Sequence, residues 1–254
     1  MDFTVVIPAR YDSSRLPGKP LMDIAGMTMI QRVYVQAKKS NATQVVVATD
    51  DQRIFDHVVS FDGQVCMTSD NHQSGTDRLQ EATKKLGLPE NHIVVNVQGD
   101  EPLIPPEVIN QVASNLSANL SAGVATLCES INSKDDFNNP HVVKVVADKN
   151  SLAMFFSRAP IPYHREDVTY DADITNACFK PMRHIGIYAY RVSMLNKFVC
   201  WPAAPIEQVE FLEQLRFLWN GEKIHVDQSI KHFPGGIDTQ QDLEYAVGFL
   251  KKLS

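Results

Sequence analysis

Residues 3–21 read FTVVIPARYDSSRLPGKPL, and this stretch decides the fold. Phe3 to Ile7 is short, apolar and rich in β-branched residues, as in a strand buried on both faces of a parallel sheet. Pro8 closes the run because proline has no N–H for a central ladder. The following residues carry Arg10, Arg15 and Lys19, with Pro17 and Gly18 as turn-formers. Open α/β sheets bind ligands at the carboxyl ends of their strands. Cations gathered there suit a phosphate-bearing ligand. Gly18-Lys19 is followed by Pro20, so the hydroxyl that completes the nucleotide loop GxxxxGK[ST] is missing. A metal would therefore depend on carboxylates elsewhere in the chain.

Further along, Gln44–Ala48, Gln64–Thr68 and Ile93–Val97 repeat the buried-strand pattern. Amphipathic helical stretches at Met29–Lys39, Ile54–Val59 and around Leu79, Ala82 and Leu86 alternate with them. That rhythm predicts an α/β fold built on a doubly wound, mainly parallel sheet with helices on both faces. With 254 residues and no convincing linker or repeat, residues 1–254 read as one domain.

Composition narrows the function. A hydrophobic content of 44% and a formal net charge of -6 describe a globule with ample core and no general nucleic-acid affinity. The four cysteines form no CxxC pair, which excludes a zinc ribbon or a dithiol redox motif. The N-terminus enters a strand at once, and no apolar run approaches the ~18 residues of a membrane span. The expectation is a cytoplasmic protein without membrane insertion.

Several candidate residues follow from position. Ser74-Gly75-Thr76 opens a helix and offers either an anion site or a plain N-cap; read alone, it favours the cap. Asp100, in Gln98-Gly99-Asp100-Glu101-Pro102, lies just past a buried strand on the rim of Arg10 and Lys19. An acidic pair there needs solvent or a cation, so Asp100 is the leading magnesium ligand, with a simple turn as the alternative. Arg158, the one charge in LAMFFSRAPIP, needs an anionic partner, internal or bound. Arg183 to Arg191 alternates in period two, with His184, Gly186, Tyr188 and Tyr190 on one face and Ile185, Ile187 and Ala189 on the other. The polar face could line a pocket or meet solvent. Pro205–Trp219 reads as one amphipathic helix with Ile206, Val209, Leu212, Leu215 and Leu218 inward, and Glu207, Glu210 and Gln214 on a solvated side. Thr239 reads as a helix cap, with Asp238 assisting it.

Taken together, IPARYDSSRLPGKPL, ATDD, HQSGTDRL, VNVQGDEP, FSRAPIP, RHIGIYAYR, LEQLRFLWNGEKI and GIDTQQDL resemble, in order and over nearly the whole chain, the 3-deoxy-D-manno-octulosonate (Kdo) cytidylyltransferases, or CMP-Kdo synthetases. The resemblance implies transfer of CMP from CTP to the 2-hydroxyl of Kdo with release of pyrophosphate, a step that activates Kdo for lipopolysaccharide biosynthesis. It implies a Rossmann-like sheet of the nucleotide-diphospho-sugar transferase type, with a small antiparallel extension that forms a homodimer. It places triphosphate contacts on Arg10, Arg15 and Lys19, further nucleotide contacts on Ser74, Gly75, Arg78 and Gln98, and Mg2+ on Asp100 and Asp238. It places sugar-acid contacts on Arg158, His184, Tyr188, Glu210 and Gln214. The family usually reads GVDTPEDL near its end; Gln240 and Gln241 depart from that pattern, while Asp238 is kept. Two rivals are the same chemistry on the 8-amino analogue of Kdo and a catalytically silent CTP-binding protein. The latter would have lost Asp100 and Asp238.

Overall fold

The computed structural model describes residues 1–12, 16–72, 74–163 and 180–251, with backbone alone at 251. In chain order, β1 (Phe3–Ala9) leads through the basic loop to a 3-10 turn (Lys19–Leu21) and a hairpin, β2 (Asp23–Ile24) and β3 (Met27–Thr28). Next come α1 (Met29–Lys38), β4 (Gln44–Thr49), α2 (Gln52–Ser60), β5 (Val65–Met67), α3 (Gly75–Lys85), β6 (Ile93–Asn96) and α4 (Pro106–Ala118). After these lie β7 (Val124–Ser130), α5 (Lys134–Asn138), β8 (Lys144–Ala147), β9 (Ala153–Ser157), β10 (Met182–Arg191), α6 (Val192–Phe198), α7 (Pro205–Glu210), α8 (Leu215–Trp219), β11 (Ile224–Gln228) and α9 (Gln240–Lys251).

Among the described residues, nine strands make one sheet, along which the order runs β11-β7-β10-β6-β1-β4-β5. β1 is parallel to both neighbours, pairing Val5 with Val45 and with Val95. Its side chains alternate between two cores. Phe3, Val5 and Ile7 meet Ile30, Val33, Ile109 and Val112 from α1 and α4. Val6 faces the opposite cluster, with Leu79 and Ala82 of α3 and Leu195 and Phe198 of α6. A strand covered on both faces needs the continuous apolar run that Phe3–Ile7 supplies.

The mainly parallel sheet carries a small antiparallel part, as expected. β10 lies inside the sheet, antiparallel to β6 on one side and β7 on the other, while β8 and β9 continue from its N-terminal half. Its pairing with β7 shifts between Ile185 and Tyr188, a bulge that leaves Gly186 exposed beside a cavity.

Pro205–Trp219 is not one helix. Phe211 takes a left-handed conformation (φ 52°) and separates α7 from α8. Val209 is 80% exposed, whereas Glu207 and Gln214 are each only 7% exposed. On a helix of 3.6 residues per turn, a row at every third position winds off the face by about 60° per step, so the five apolar positions cannot all point inward. Glu207 can be buried because its carboxylate accepts the Ala204 N–H at 2.9 Å and pairs with Arg216 at 2.5 Å. No helix among the described residues is long and apolar enough to cross a membrane.

Candidate active site

The site forms where β1 and β6 end. Val97 N–H donates to the Val6 carbonyl at 3.2 Å, and Gly99 then passes so close that a Cβ there would stand 2.8 Å from the Pro8 carbonyl oxygen. Glycine at 99 thus lets the Gln98–Asp100 turn lie against the start of the basic loop. Two adjoining cavities open here, of about 420 and 360 Å3, and Pro8, Arg10 and Gln98 line both.

The smaller cavity is charged. Lys19 is only 8% exposed, and its ammonium donates to Asp100 Oδ2 at 2.7 Å and to Asp238 Oδ1 at 3.0 Å. Gly18 supports this turn in a left-handed conformation (φ 69°), with its N–H on the Tyr11 carbonyl at 3.1 Å. The two carboxylates are set in one frame by the Ile237 N–H, which donates to the Asp100 carbonyl at 2.9 Å. Glu101, the other half of the acidic pair, is buried; desolvation, then the neighbouring Asp100, pushes its carboxyl up to about 8. Burial thus favours the neutral form of Glu101.

Among the described residues, no cluster of three or more His, Cys, Asp or Glu side chains converges as a metal site. Asp100 and Asp238 do meet at one cation position, and both offer hard oxygen donors. Magnesium takes one or two carboxylates when phosphate oxygens and water complete its shell, so this pair fits it.

The larger cavity is aromatic and polar. His184, Tyr188, Tyr190 and Phe217 follow one another along its wall, with neighbouring ring centroids 5.2, 5.6 and 5.8 Å apart. Four of its lining residues hold a buried polar atom without a hydrogen-bond partner among the described residues: Arg78 Nε, Asn96 Oδ1, Tyr188 Oη and Gln214 Nε2. Buried polar atoms are normally satisfied, so four of them on residues of one wall set this cavity apart.

His184 is held neutral, since burial pushes its pKa down to about 3. The Thr126 hydroxyl donates to the Ile187 carbonyl at 2.7 Å, so its oxygen accepts from His184 Nε2–H at 3.0 Å. Across the cavity, Thr76 donates to Glu213 at 2.9 Å. Desolvation raises the Glu213 carboxyl above its ordinary range, partly offset by Thr76 and Ser74.

The chain matches the family described as Cytidylyltransferase over residues 4–224. The 3-deoxy-manno-octulosonate cytidylyltransferase of Cellvibrio japonicus is 57% identical over 99% of both chains, and that of Vibrio vulnificus is 55% identical over 96% of both. The chain belongs to the 3-deoxy-manno-octulosonate cytidylyltransferase family. A solved structure of CMP:2-keto-3-deoxy-manno-octonic acid synthetase complexed with CTP superposes with a TM-score of 0.90 at 39% identity, covering all of both chains. A cytidylyltransferase from Leptospira borgpetersenii, 17% identical with a TM-score of 0.59 over 99% of this chain and 94% of its own, shares the fold.

The residues expected from family resemblance distribute unevenly. Arg10, Gly75, Arg78, Gln98, His184, Tyr188 and Gln214 line the larger cavity, while Lys19, Asp100 and Asp238 line the smaller. Ser74 is the N-cap of α3 in a capping box with Asp77, so the plain-cap reading holds for its side chain. Arg78 reaches the cavity wall with much of its guanidinium committed, to Thr68 at 2.6 Å and to Asp50. Arg158 and Glu210 line neither cavity. Arg158 donates to the Glu210 and Pro140 carbonyls at 2.7 and 2.9 Å, while the Glu210 carboxylate binds Ser157 and the Arg158 backbone N–H. Arg15 lies outside the described residues. Thr76, from the expected Ser74-Gly75-Thr76 helix start, lines the larger cavity, as do Asn96 and Glu213, which no sequence pattern marks. Glu213 sits inside the LEQLR stretch, between α7 and α8, where helical periodicity carries no signal for it.

Proposed function

We propose that this chain transfers CMP from CTP to the anomeric 2-hydroxyl of Kdo. The hydroxyl oxygen bonds to the α-phosphorus, the bond from that phosphorus to the β-bridging oxygen breaks, pyrophosphate leaves, and the hydroxyl proton passes to water. The observation that carries this reading is the pair of adjoining cavities, one charged and one polar-aromatic, that share Arg10 and Gln98 in a chain alike from end to end to enzymes of this name.

Both reactants are anions, so positive charge is the first requirement. Arg10, Arg15 and Lys19 hold the phosphates and stabilise charge on departing pyrophosphate. Asp100 and Asp238 hold Mg2+, which when bound supplies Lewis acidity toward phosphate and the attacking hydroxyl. Gln98, between the cavities, faces both substrates. The larger cavity takes polar groups along the wall that Asn96, Tyr188 and Gln214 line. Holding the two substrates together lowers the barrier by ~7–11 kcal/mol, so no dedicated base is required. Neutral His184, with its pKa pushed down to about 3, orients rather than abstracts. A cytoplasmic homodimer supplying activated Kdo for lipopolysaccharide is the setting that accords with the family and with the absence of an apolar spanning helix among the described residues.

The test is pyrophosphate release from CTP and magnesium with Kdo, its 8-amino analogue, sialic acid or no acceptor. Release with Kdo is expected. Release with the amino analogue alone would reassign the acceptor, and silence with every acceptor from a folded, CTP-binding protein would overturn the reaction.

A further inference from the structure

The ammonium of Lys19 lies between the two carboxylates that would hold a divalent cation. It is buried, and it touches one oxygen of each carboxylate that the magnesium reading, on which this inference rests, assigns to the metal. A cation approaching Asp100 and Asp238 in the free protein therefore meets both a competitor for the same oxygens and a like charge. The backbone of the lysine is held by the left-handed Gly18 and by Pro20 behind it, and its N–H donates to the Leu16 carbonyl at 3.1 Å. Movement is left to the four-carbon stem, which is flexible and ends in a compact point charge.

The geometry points to Lys19 as an internal counter-ion that keeps the divalent-cation position closed until nucleotide arrives. The smaller cavity is lined by Arg10 and Lys19 together. A triphosphate entering it offers the ammonium a stronger anionic partner, and as the lysine turns to the phosphates it gives up one oxygen of each carboxylate. The carboxylates then bind metal, whose positive charge is also favoured by the phosphates. Metal and nucleotide affinities are thereby linked, and the linkage is reciprocal: whatever factor CTP adds to metal binding, metal adds to CTP binding. Lys19 thus serves the phosphates in the loaded enzyme and the carboxylates in the empty one, and a free metal ion gains little hold on the empty protein.

The experiment titrates Mn2+ into the full chain. It follows free Mn2+ by electron paramagnetic resonance and protein-held Mn2+ by water-proton relaxation enhancement. Wild type alone should bind weakly, and wild type with CTP should hold the ion on the protein. Lys19→Met without nucleotide should bind at least tenfold more tightly than wild type, and adding Asp238→Asn to that variant should remove the gain. Circular dichroism checks each fold, and the two wild-type arms decide the matter if the variant is unfolded. Equal Mn2+ affinity of wild type with and without CTP, or of wild type and Lys19→Met, overturns the gating role while leaving the metal assignment standing. Mn2+ held by no form of the protein overturns the metal assignment and the gating role with it.

Discussion

The backbone N–H of Asp238 donates to the carboxylate of Asp242 at 3.0 Å, and the same carboxylate oxygen takes the Thr239 N–H at 2.8 Å. Asp242 therefore closes a capping box at the start of α9 and fixes the conformation of a residue that reaches Lys19. Asp242→Ala should cost about 1 kcal/mol as a lost cap. It should also lower kcat by about 10–100-fold through misplacement of Asp238. Urea melts and turnover at saturating substrates check both, and unchanged turnover with reduced stability would leave Asp242 as a cap alone.

Gly236 lies against the Asp100 carboxylate. A Cβ there would stand 3.0 Å from Oδ1 and 3.2 Å from Cγ. Gly236→Ala should turn Asp100 away from Lys19 and Asp238 and reduce activity by about 100-fold. The displaced group is a half-exposed carboxylate, so stability should change by less than about 1 kcal/mol. A thermal melt beside a turnover assay separates the two effects.

Tyr188 Oη is buried without a partner among the described residues. Removing an unsatisfied hydroxyl relieves a desolvation penalty of about 1–3 kcal/mol, while removing one that serves a ligand harms binding. Tyr188→Phe should thus be as stable as wild type or slightly more so, with the acceptor KM raised about tenfold. A lower stability with an unchanged KM would show that the hydroxyl serves the fold instead.

His184 sets part of the acid limb of stability. Burial pushes its folded pKa down to about 3 from 6.5. Between those values the unfolded chain binds a proton that the folded chain refuses, so its contribution is present above pH 6.5 and is lost as pH falls through the window. The slope is at most about 1.4 kcal/mol per pH unit. Urea denaturation at pH 7, 5.5 and 4 should show a shallower decline for His184→Gln than for wild type. Parallel declines would assign the acid limb to other groups.

Much of this architecture is written locally. The run Phe3–Ile7 is apolar at every pleat, and the structure buries it on both faces. The period-two pattern of residues 183–191 separates Ile185, Ile187 and Ala189 from Tyr188 and Tyr190, and the two sets enter different cores. The cationic loop and the Asp100 turn are likewise legible, although Pro8 does not end β1, which stays paired with β4 through Pro8 to Ala9. Such features depend on neighbours within a few residues, and periodicity reports them directly.

Other features depend on partners far away in the chain. No local pattern says that β10 enters the middle of the sheet against the grain of β6, because either strand direction buries the same side chains. The break at Phe211 follows from packing on both sides of it, and it is what turns Glu213 and Gln214 into the cavity beside Thr76. Arg78 reads as a nucleotide contact, and the fold both sets it on the wall of the larger cavity and joins it to Asp50. Most of all, Lys19 reads as a free phosphate-binding cation, and the fold sets it between carboxylates 81 and 219 residues away. The sequence by itself determined which residues are charged and which are apolar. Only the tertiary structure decided which charges meet, because Coulomb attraction and desolvation act through space and their balance exists only once the chain is packed.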